Sequence, residues 1–282
     1  MPALFVLEKR GHFVNHETRA MTSAYIHGTE VSEQERLALL NRLTNAPFIE
    51  FLKLGEADTV LEVGSGLGIL AREVASRLKR GEIWGLEYSA NQLARARDAV
   101  ENLHFVQGDA HALPFTDESF STVYCRYLLE HVADPVRVLR EMRRVLRPGG
   151  RALAQENNIL ILAFYPECER FESVWQRFAQ LQMQLGGDAL IGKKLFALFK
   201  QAGFGGIELS LQPEIHHAGA ESFRPWIENL IGNVDSGAAE MQKRGLASAD
   251  ELNAAVAELR FFAERDDASA IFYWNRAAGV KS

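Results

Sequence analysis

Residues 60–68 read Val-Leu-Glu-Val-Gly-Ser-Gly-Leu-Gly, an apolar run carrying one acid and followed by three glycines at alternate positions. Val60–Val63 has the β-branched, apolar character of a buried parallel strand. Leu70, Val74 and Leu78 then recur at helical spacing. A strand, a glycine turn and a helix let backbone amides approach a nucleotide-like ligand with no side chain in the way. Gly-x-Gly-x-Gly also occurs in ordinary tight turns, so the run needs support from elsewhere in the chain. The dinucleotide pattern Gly-x-Gly-x-x-Gly fails here by one residue, because Ile69 follows Gly68. Two more acids stand at the ends of apolar runs. Glu87 closes residues 83–87, and Asp109 follows the run Leu103–Val106 within Gly108-Asp109-Ala110.

Glu62-x-Gly64-x-Gly66-x-Gly68 resembles the first motif of class I S-adenosylmethionine (SAM) dependent methyltransferases, and the later segments follow in that family's order. The pattern is similar to the small-molecule enzymes of ubiquinone and menaquinone biosynthesis. The resemblance implies SAM as cofactor, held by Tyr25, Glu62, Gly64, Ser65, Gly66, Glu87, Tyr88, Gln92, Asp109, Ala110 and Arg126. Glu87 is suited to accept both ribose hydroxyls, since an ionised carboxylate is acceptor-only with two oxygens. Tyr88 can lay its ring against an adenine, and Asp109 can take the exocyclic amine. Ser89 is a helix N-cap by type and position. Tyr25-x-x-Gly28 and Glu35-Arg36-Leu37 resemble an N-terminal helical lid, with Tyr25 the preferred contact to the cofactor's carboxylate and Arg36 as readily an exposed helix residue. Residues 192–204 are similar to the helix before the family's sixth strand. The likeness covers roughly residues 22–215 and is weak at both ends.

The elements that must position these residues follow from periodicity. The fold class expected is α/β: a Rossmann-like, seven-stranded, mostly parallel sheet with helices on both faces. The resemblance implies a strand order of 3-2-1-4-5-7-6. Residues 1–55 form an N-terminal helical lid, whose helix starts near Ser32 with the capping signature Ser32-x-x-Glu35. Residues 56–282 form the SAM-binding domain, in which 157–188 and 216–266 are helical segments expected to cover the substrate. The second is longer than a minimal member needs, so it covers the cleft or meets a second subunit, and a homodimer is one candidate assembly. Helices are expected at Glu167–Leu185 and Ala189–Ala202, and strands at 207–215 and 268–280.

Composition narrows the function. The 282 residues are 47% apolar, enough for a substantial core, and carry 31 basic against 37 acidic side chains, a formal charge of −6. That balance argues against non-specific nucleic-acid binding. The basic run at 140–147 reads as the solvated face of a helix covering the sheet. Cys125 and Cys168 suggest neither a disulfide framework nor a metal site. The longest apolar run, Ile159–Phe164, is far short of a membrane span, and the first residues do not read as a signal peptide. A cytoplasmic protein is expected, with no metal and a small-molecule methyl acceptor as partner.

The motifs specify the acceptor hardly at all, and no catalytic residue is assigned. His131 and Glu156, near the ends of strands four and five, are general-base candidates if the acceptor needs deprotonation. Each has a structural alternative: His131 in a turn, Glu156 holding backbone. Phe164, Tyr165, Trp175 and Phe178 could wall an aromatic acceptor, although Phe171, Trp175 and Phe178 also have core spacing. His216 and His217 are neighbours in a strand and point to opposite faces, which weakens a metal reading. The leading function is SAM-dependent methyl transfer, on O, N or C, to a small hydrophobic or aromatic metabolite by in-line displacement. The alternatives are a non-catalytic SAM-binding regulatory protein and an NAD-dependent oxidoreductase.

Overall fold

The computed structural model describes residues 44–96 and 100–282. The expected lid, with Tyr25, Arg36 and the Ser32 cap, falls on residues 1–43 and lies outside them.

A first helix, α1, is described over 44–52. Then come β1 (Thr59–Val63), α2 (Ile69–Ala75), β2 (Glu82–Glu87), α3 (Ala90–Ala96), β3 (Leu103–Gln107) and β4 (Phe120–Arg126). Helix α4 (Pro135–Val145) leads to β5 (Leu146–Glu156). Strands β1 to β5 pair in parallel in the order β3-β2-β1-β4-β5. Val60, Leu61 and Val63 are fully buried, as a parallel strand covered on both faces requires. One face packs on Phe48, Leu52, Leu70 and Val74. The other packs on Val138, Leu139 and Met142 of α4 and on Leu198 and Phe199 of α6 (Leu195–Gln201).

The remaining elements are β6 (Ala163–Tyr165), α5 (Glu169–Gln184), β7 (Gly205–His217), α7 (Phe223–Lys243), α8 (Ala249–Ala263) and β8 (Ser269–Val280). β8 runs antiparallel beside β5, with Arg151 opposite Val280 and Glu156 opposite Asn275, and β7 pairs along its other edge. That is the expected order with one addition. The chain leaving β5 stays extended at Ala163–Tyr165 and pairs with Ser269–Ile271, on the edge of β8 that β5 occupies further along. The sheet therefore has eight strands rather than seven. Helices α5, α7 and α8 close over this end of β8 around a second core that includes Phe171, Phe178, Trp226, Leu259 and Phe262.

Two expectations are corrected. The helix expected at Ala189–Ala202 begins as a 3₁₀ turn, Ile191–Lys194, because Asp188 accepts from the Leu190 amide at 3.1 Å and the Gly192 amide is drawn to the Asn157 carbonyl at 2.8 Å. The arginines of 140–147 are a solvated face only in part: Arg140 and Arg147 are exposed, whereas Arg143 and Arg144 are half-buried. Arg144 donates to the carbonyls of Leu113 (2.9 Å) and Phe115 (2.8 Å), and Arg147 to that of Ser119 (2.8 Å). They satisfy carbonyls of the β3–β4 connection that no strand partner reaches.

The glycine turn is set by packing as well as backbone. Gly68 has φ +68°, and a Cβ there would lie 2.3 Å from Cζ of Phe105 on β3. Gly68→Ala therefore combines left-handed strain with overpacking, and we expect it to cost about 1–3 kcal/mol of stability in urea unfolding. A cost below about 0.5 kcal/mol, within the range of a neutral surface change, would mean that the turn is neither strained nor packed.

Candidate functional site

The glycine turn is tied to the end of β2. The Gly64 and Ser65 amides donate to the Leu86 carbonyl at 2.8 and 2.9 Å. Gly64 and Gly66 have φ of +81° and +53°, so the turn runs through the left-handed region. This places the Gly66 amide 2.9 Å from Glu87 Oε2, while the Ser89 amide donates to Oε1 at 2.8 Å. The Glu87 carboxylate is thus held in one orientation with lone pairs to spare on both oxygens. Ser89 caps α3 as expected, its Oγ accepting from the Gln92 amide at 3.3 Å.

Glu87 borders a cavity of about 750 Å³ beyond the carboxyl ends of the parallel strands. Glu62, Gly64, Ser65 and Gly66 reach it from β1, and Tyr88 and Gln92 from the β2–α3 turn. Asp109 and Ala110 reach it from beyond β3, and Arg126 from β4. Ten of the eleven cofactor residues expected from sequence therefore line one cavity; the eleventh, Tyr25, lies outside the described residues. The crevice sits where the strand order reverses between β1 and β4, the usual ligand position in open α/β sheets.

The electrostatics are unusual for a surface cleft. Burial pushes the Glu62 carboxyl from its ordinary 4.5 up to about 8, against the pull of the Arg126 guanidinium. Glu62 Oε2 has no hydrogen-bond partner within range among the described residues, although the Tyr124 hydroxyl beside the carboxyl helps offset its burial. Arg126 donates to Thr44 Oγ1 (3.1 Å) and Asn45 Oδ1 (2.8 Å), which ties the end of β4 to α1. Burial works against the Asp109 charge, but His111 donates from its amide (2.9 Å) and contributes its ring nitrogen (2.8 Å), and the carboxyl is held below the ordinary range.

The other candidates divide. His131 lines the cavity, its Nε2 3.7 Å from Glu130 Oε1. Glu156 does not line it. It is fully buried, and its Oε1 accepts from the Leu128 and Leu129 amides at 3.1 and 3.0 Å, so it holds the turn after β4 rather than acting as a base. Burial, reinforced by Glu130, pushes its carboxyl up to about 8. Trp175 and Phe178 wall the cavity, whereas Phe164 packs into the helical core between Phe171 and Phe262, and Tyr165 is exposed. His216 is buried and stacked on Trp226, while His217 is exposed, on opposite faces as the strand period requires.

Sequence reasoning missed the far end of the cavity, formed by Tyr127, Glu130, Glu214, Trp226 and Trp274. Glu130 had a local signal, since it adjoins His131. Glu214 and Trp274 had none. They meet only because β7 and β8 pair with Glu214 opposite Phe272 and Gln212 opposite Trp274, which lets Trp274 Nε1 donate to Glu214 Oε1 at 2.6 Å.

Glu62 gives a pH signature. The folded protein keeps a proton that the unfolded chain releases between about pH 4.5 and 8. The resulting stability is fully present below the lower value and is lost as pH rises through the upper one. We expect the urea midpoint of the wild type to fall more between about pH 5 and about pH 9 than that of Glu62→Gln, which cannot ionise. Equal falls would show that Glu62 is already ionised in the fold.

Residues 61–154 match the family model described as a methyltransferase domain. The 2-phytyl-1,4-naphtoquinone methyltransferase of Thermosynechococcus vestitus is 36% identical over 47% of this chain and 58% of that protein. The ubiquinone/menaquinone biosynthesis C-methyltransferase of Hahella chejuensis is 40% identical over 35% of this chain and 42% of its own length. The chain thus spans about half the length of these curated relatives. Among solved structures, the YcgJ protein of Bacillus subtilis superposes with a TM-score of 0.57 at 19% identity, covering 85% of this chain and 98% of that one, a likeness of fold. With the motifs, the strand order and the glycine turn in agreement, the chain carries a class I SAM-dependent methyltransferase domain similar to those of the ubiquinone and menaquinone biosynthesis enzymes.

Proposed function

We propose that this protein transfers a methyl group from SAM to a small, hydrophobic or aromatic metabolite. The observation that carries this reading is the continuity of the cavity. One end presents glycine backbone and the carboxyl groups of Glu62, Glu87 and Asp109; the other presents the rings of Trp175, Phe178, Trp226 and Trp274.

The residues at the first end fit the cofactor. Glu87, oriented by the Gly66 and Ser89 amides, accepts the ribose hydroxyls. Asp109 Oδ2, which carries no hydrogen bond among the described residues, accepts the adenine amine, and the Tyr88 ring lies beside it at the rim. Glu62 Oε2 accepts from the ammonium group of the methionine part. When bound, SAM supplies an activated methyl on a sulfonium, so the chemistry asked of the protein is placement. Orienting the acceptor atom in line behind the methyl, with water kept out, is worth on the order of 7–11 kcal/mol in the best cases.

The acceptor lies on the aromatic side. Segments 157–188 and 216–266 supply α5 and α7, and Trp175, Phe178, Trp226 and Leu230 of these helices roof that end. The named relatives are a 2-phytyl-1,4-naphtoquinone methyltransferase and a ubiquinone/menaquinone biosynthesis C-methyltransferase, and an aromatic chamber is compatible with a quinone-sized ring. No described helix is long and apolar enough to cross a membrane.

The test has two arms. Calorimetry should detect S-adenosylhomocysteine binding, and Glu87→Ala should weaken it by about 1.5–3 kcal/mol, the range for hydrogen bonds to a charged group. Labelled SAM offered with a panel of small aromatic phenols, quinols and amines should give a methylated product. A folded Glu87→Ala with an unchanged dissociation constant refutes the ribose role. Tight cofactor binding with no product from any acceptor favours a regulatory protein instead.

A further inference from the structure

We propose that the acceptor is an amine, recognised through its positive charge by the Glu214 carboxylate and the rings beside it. This rests on the methyl-transfer reading above and names its substrate class.

Glu214 is an unusual group for the wall of an aromatic chamber. Its side chain is only 10% exposed. Oε1 accepts from Trp274 Nε1, but Oε2 has no hydrogen bond among the described residues. His216 Nε2 stands 3.6 Å from Oε2, beyond hydrogen-bond range. An unfilled carboxylate oxygen that borders a cavity calls for a donor or a cation from the ligand. A second carboxylate, Glu130, is 7% exposed and lines the same cavity; Gln182 satisfies its Oε2 at 3.0 Å, and its Oε1 makes no hydrogen bond among the described residues.

The rings point the same way. Trp274 stands between Tyr127, with ring centroids 4.4 Å apart, and Phe272, at 4.8 Å and nearly perpendicular. Trp226 faces the same space from α7. Indole and phenol faces carry partial negative charge and hold alkylammonium groups where water is excluded. Among the described lining residues the only guanidinium groups are Arg126 and Arg137: Arg137 is held by the His111 carbonyl at 3.0 Å, and Arg126 by Thr44 and Asn45, with its guanidinium 5.1 Å from the centroid of the Tyr127 ring. Apart from Arg126, whose charge lies over Tyr127, the far end has two carboxylates and the indoles of Trp226 and Trp274 and no described lysine or arginine, which suits a cation.

The reaction also favours this arrangement. The ammonium form of the substrate gives one proton to Glu130 Oε1, and the freed lone pair attacks the methyl carbon. The N–C bond forms while the C–S bond breaks, with its electron pair going to sulfur. The positive charge ends on nitrogen, in the field of Glu214, the carboxylate that has not taken the proton and that stabilises the charge as it develops.

The experiment uses the full chain saturated with S-adenosylhomocysteine. Binding of that ligand is measured first, and its absence removes the methyl-transfer reading and this proposal together. Tryptophan fluorescence then follows titration with benzyltrimethylammonium and with its uncharged isostere, neopentylbenzene, in the same co-solvent. We expect the cation to bind at least about tenfold tighter than the isostere. In Glu214→Gln, whose amide oxygen still accepts from Trp274, the cation should weaken by about tenfold and the isostere by less than about twofold. Equal affinities in the wild type, or an unchanged ratio in Glu214→Gln, would overturn the amine assignment and leave cofactor binding intact, pointing to a neutral acceptor. The wild-type ratio decides the question even if the variant fails to fold.

Discussion

Much of the cofactor end depends on one constraint, the docking of the glycine turn onto the end of β2. Two consecutive amides, those of Gly64 and Ser65, converge on the Leu86 carbonyl, and the next, that of Gly66, reaches the Glu87 carboxylate. Side chains would block this path. The backbone is left-handed at Gly64, Gly66 and Gly68, and the space beside Gly68 is taken by Phe105. Because the turn grips β2, the acid of β2 is oriented before any ligand arrives. Preorganisation of this kind is what a cofactor site needs, since the ordering is done during folding rather than during binding.

A second dependence runs through β8. This strand pairs with β5 and β6 along one edge and with β7 along the other. Its N-terminal half carries Phe272 and Trp274 into the cavity, and its C-terminal half completes the sheet core with Ala277. Helices α5, α7 and α8 are held over the cavity by packing on this strand and on each other. The shape of the far end is therefore linked to the parallel sheet through a single strand.

The site also buries ionisable groups where charge is costly. Glu62 and Glu156 are fully buried carboxyls, both pushed up to about 8. They serve different ends. The backbone contacts of Glu156 brace the turn from which Leu128 and Glu130 reach the cavity. Glu62 keeps an unfilled acceptor beside Arg126 and the glycine turn, where a ligand cation would repair the deficit. Arg276 shows the same tension in reverse. Burial pulls its guanidinium down to about 10, and it is held by Gln155 (2.6 Å) and Gln212 (2.9 Å) and laid over the Phe51 ring. Buried charge of this kind sets geometry more than it adds stability.

What the sequence determined by itself was local. A strand, a glycine turn and a helix, then an acid closing β2 and another following β3, are encoded within short windows, since each motif is one βα unit whose turn chemistry depends on adjacent residues. The line of parallel strands and ten residues that line the cavity were legible for that reason. The helical nature of most of 216–266 was expected from sequence, and α7 and α8 fill it. What only the tertiary structure decided was non-local. Glu214 and Trp274 lie 60 residues apart and meet through antiparallel register. Trp175 and Phe178 keep the same helical spacing as Phe171, yet they line the cavity and Phe171 does not, because spacing along one helix does not say which part of its buried face meets space and which meets α8. The place of Glu156 at the end of a strand left base and backbone brace both open, and the last pleat of β5 turns it inward to the β4 turn. The choice between wall and core, and between base and brace, was made by which neighbours the fold brings in, and no window of the chain contains those neighbours.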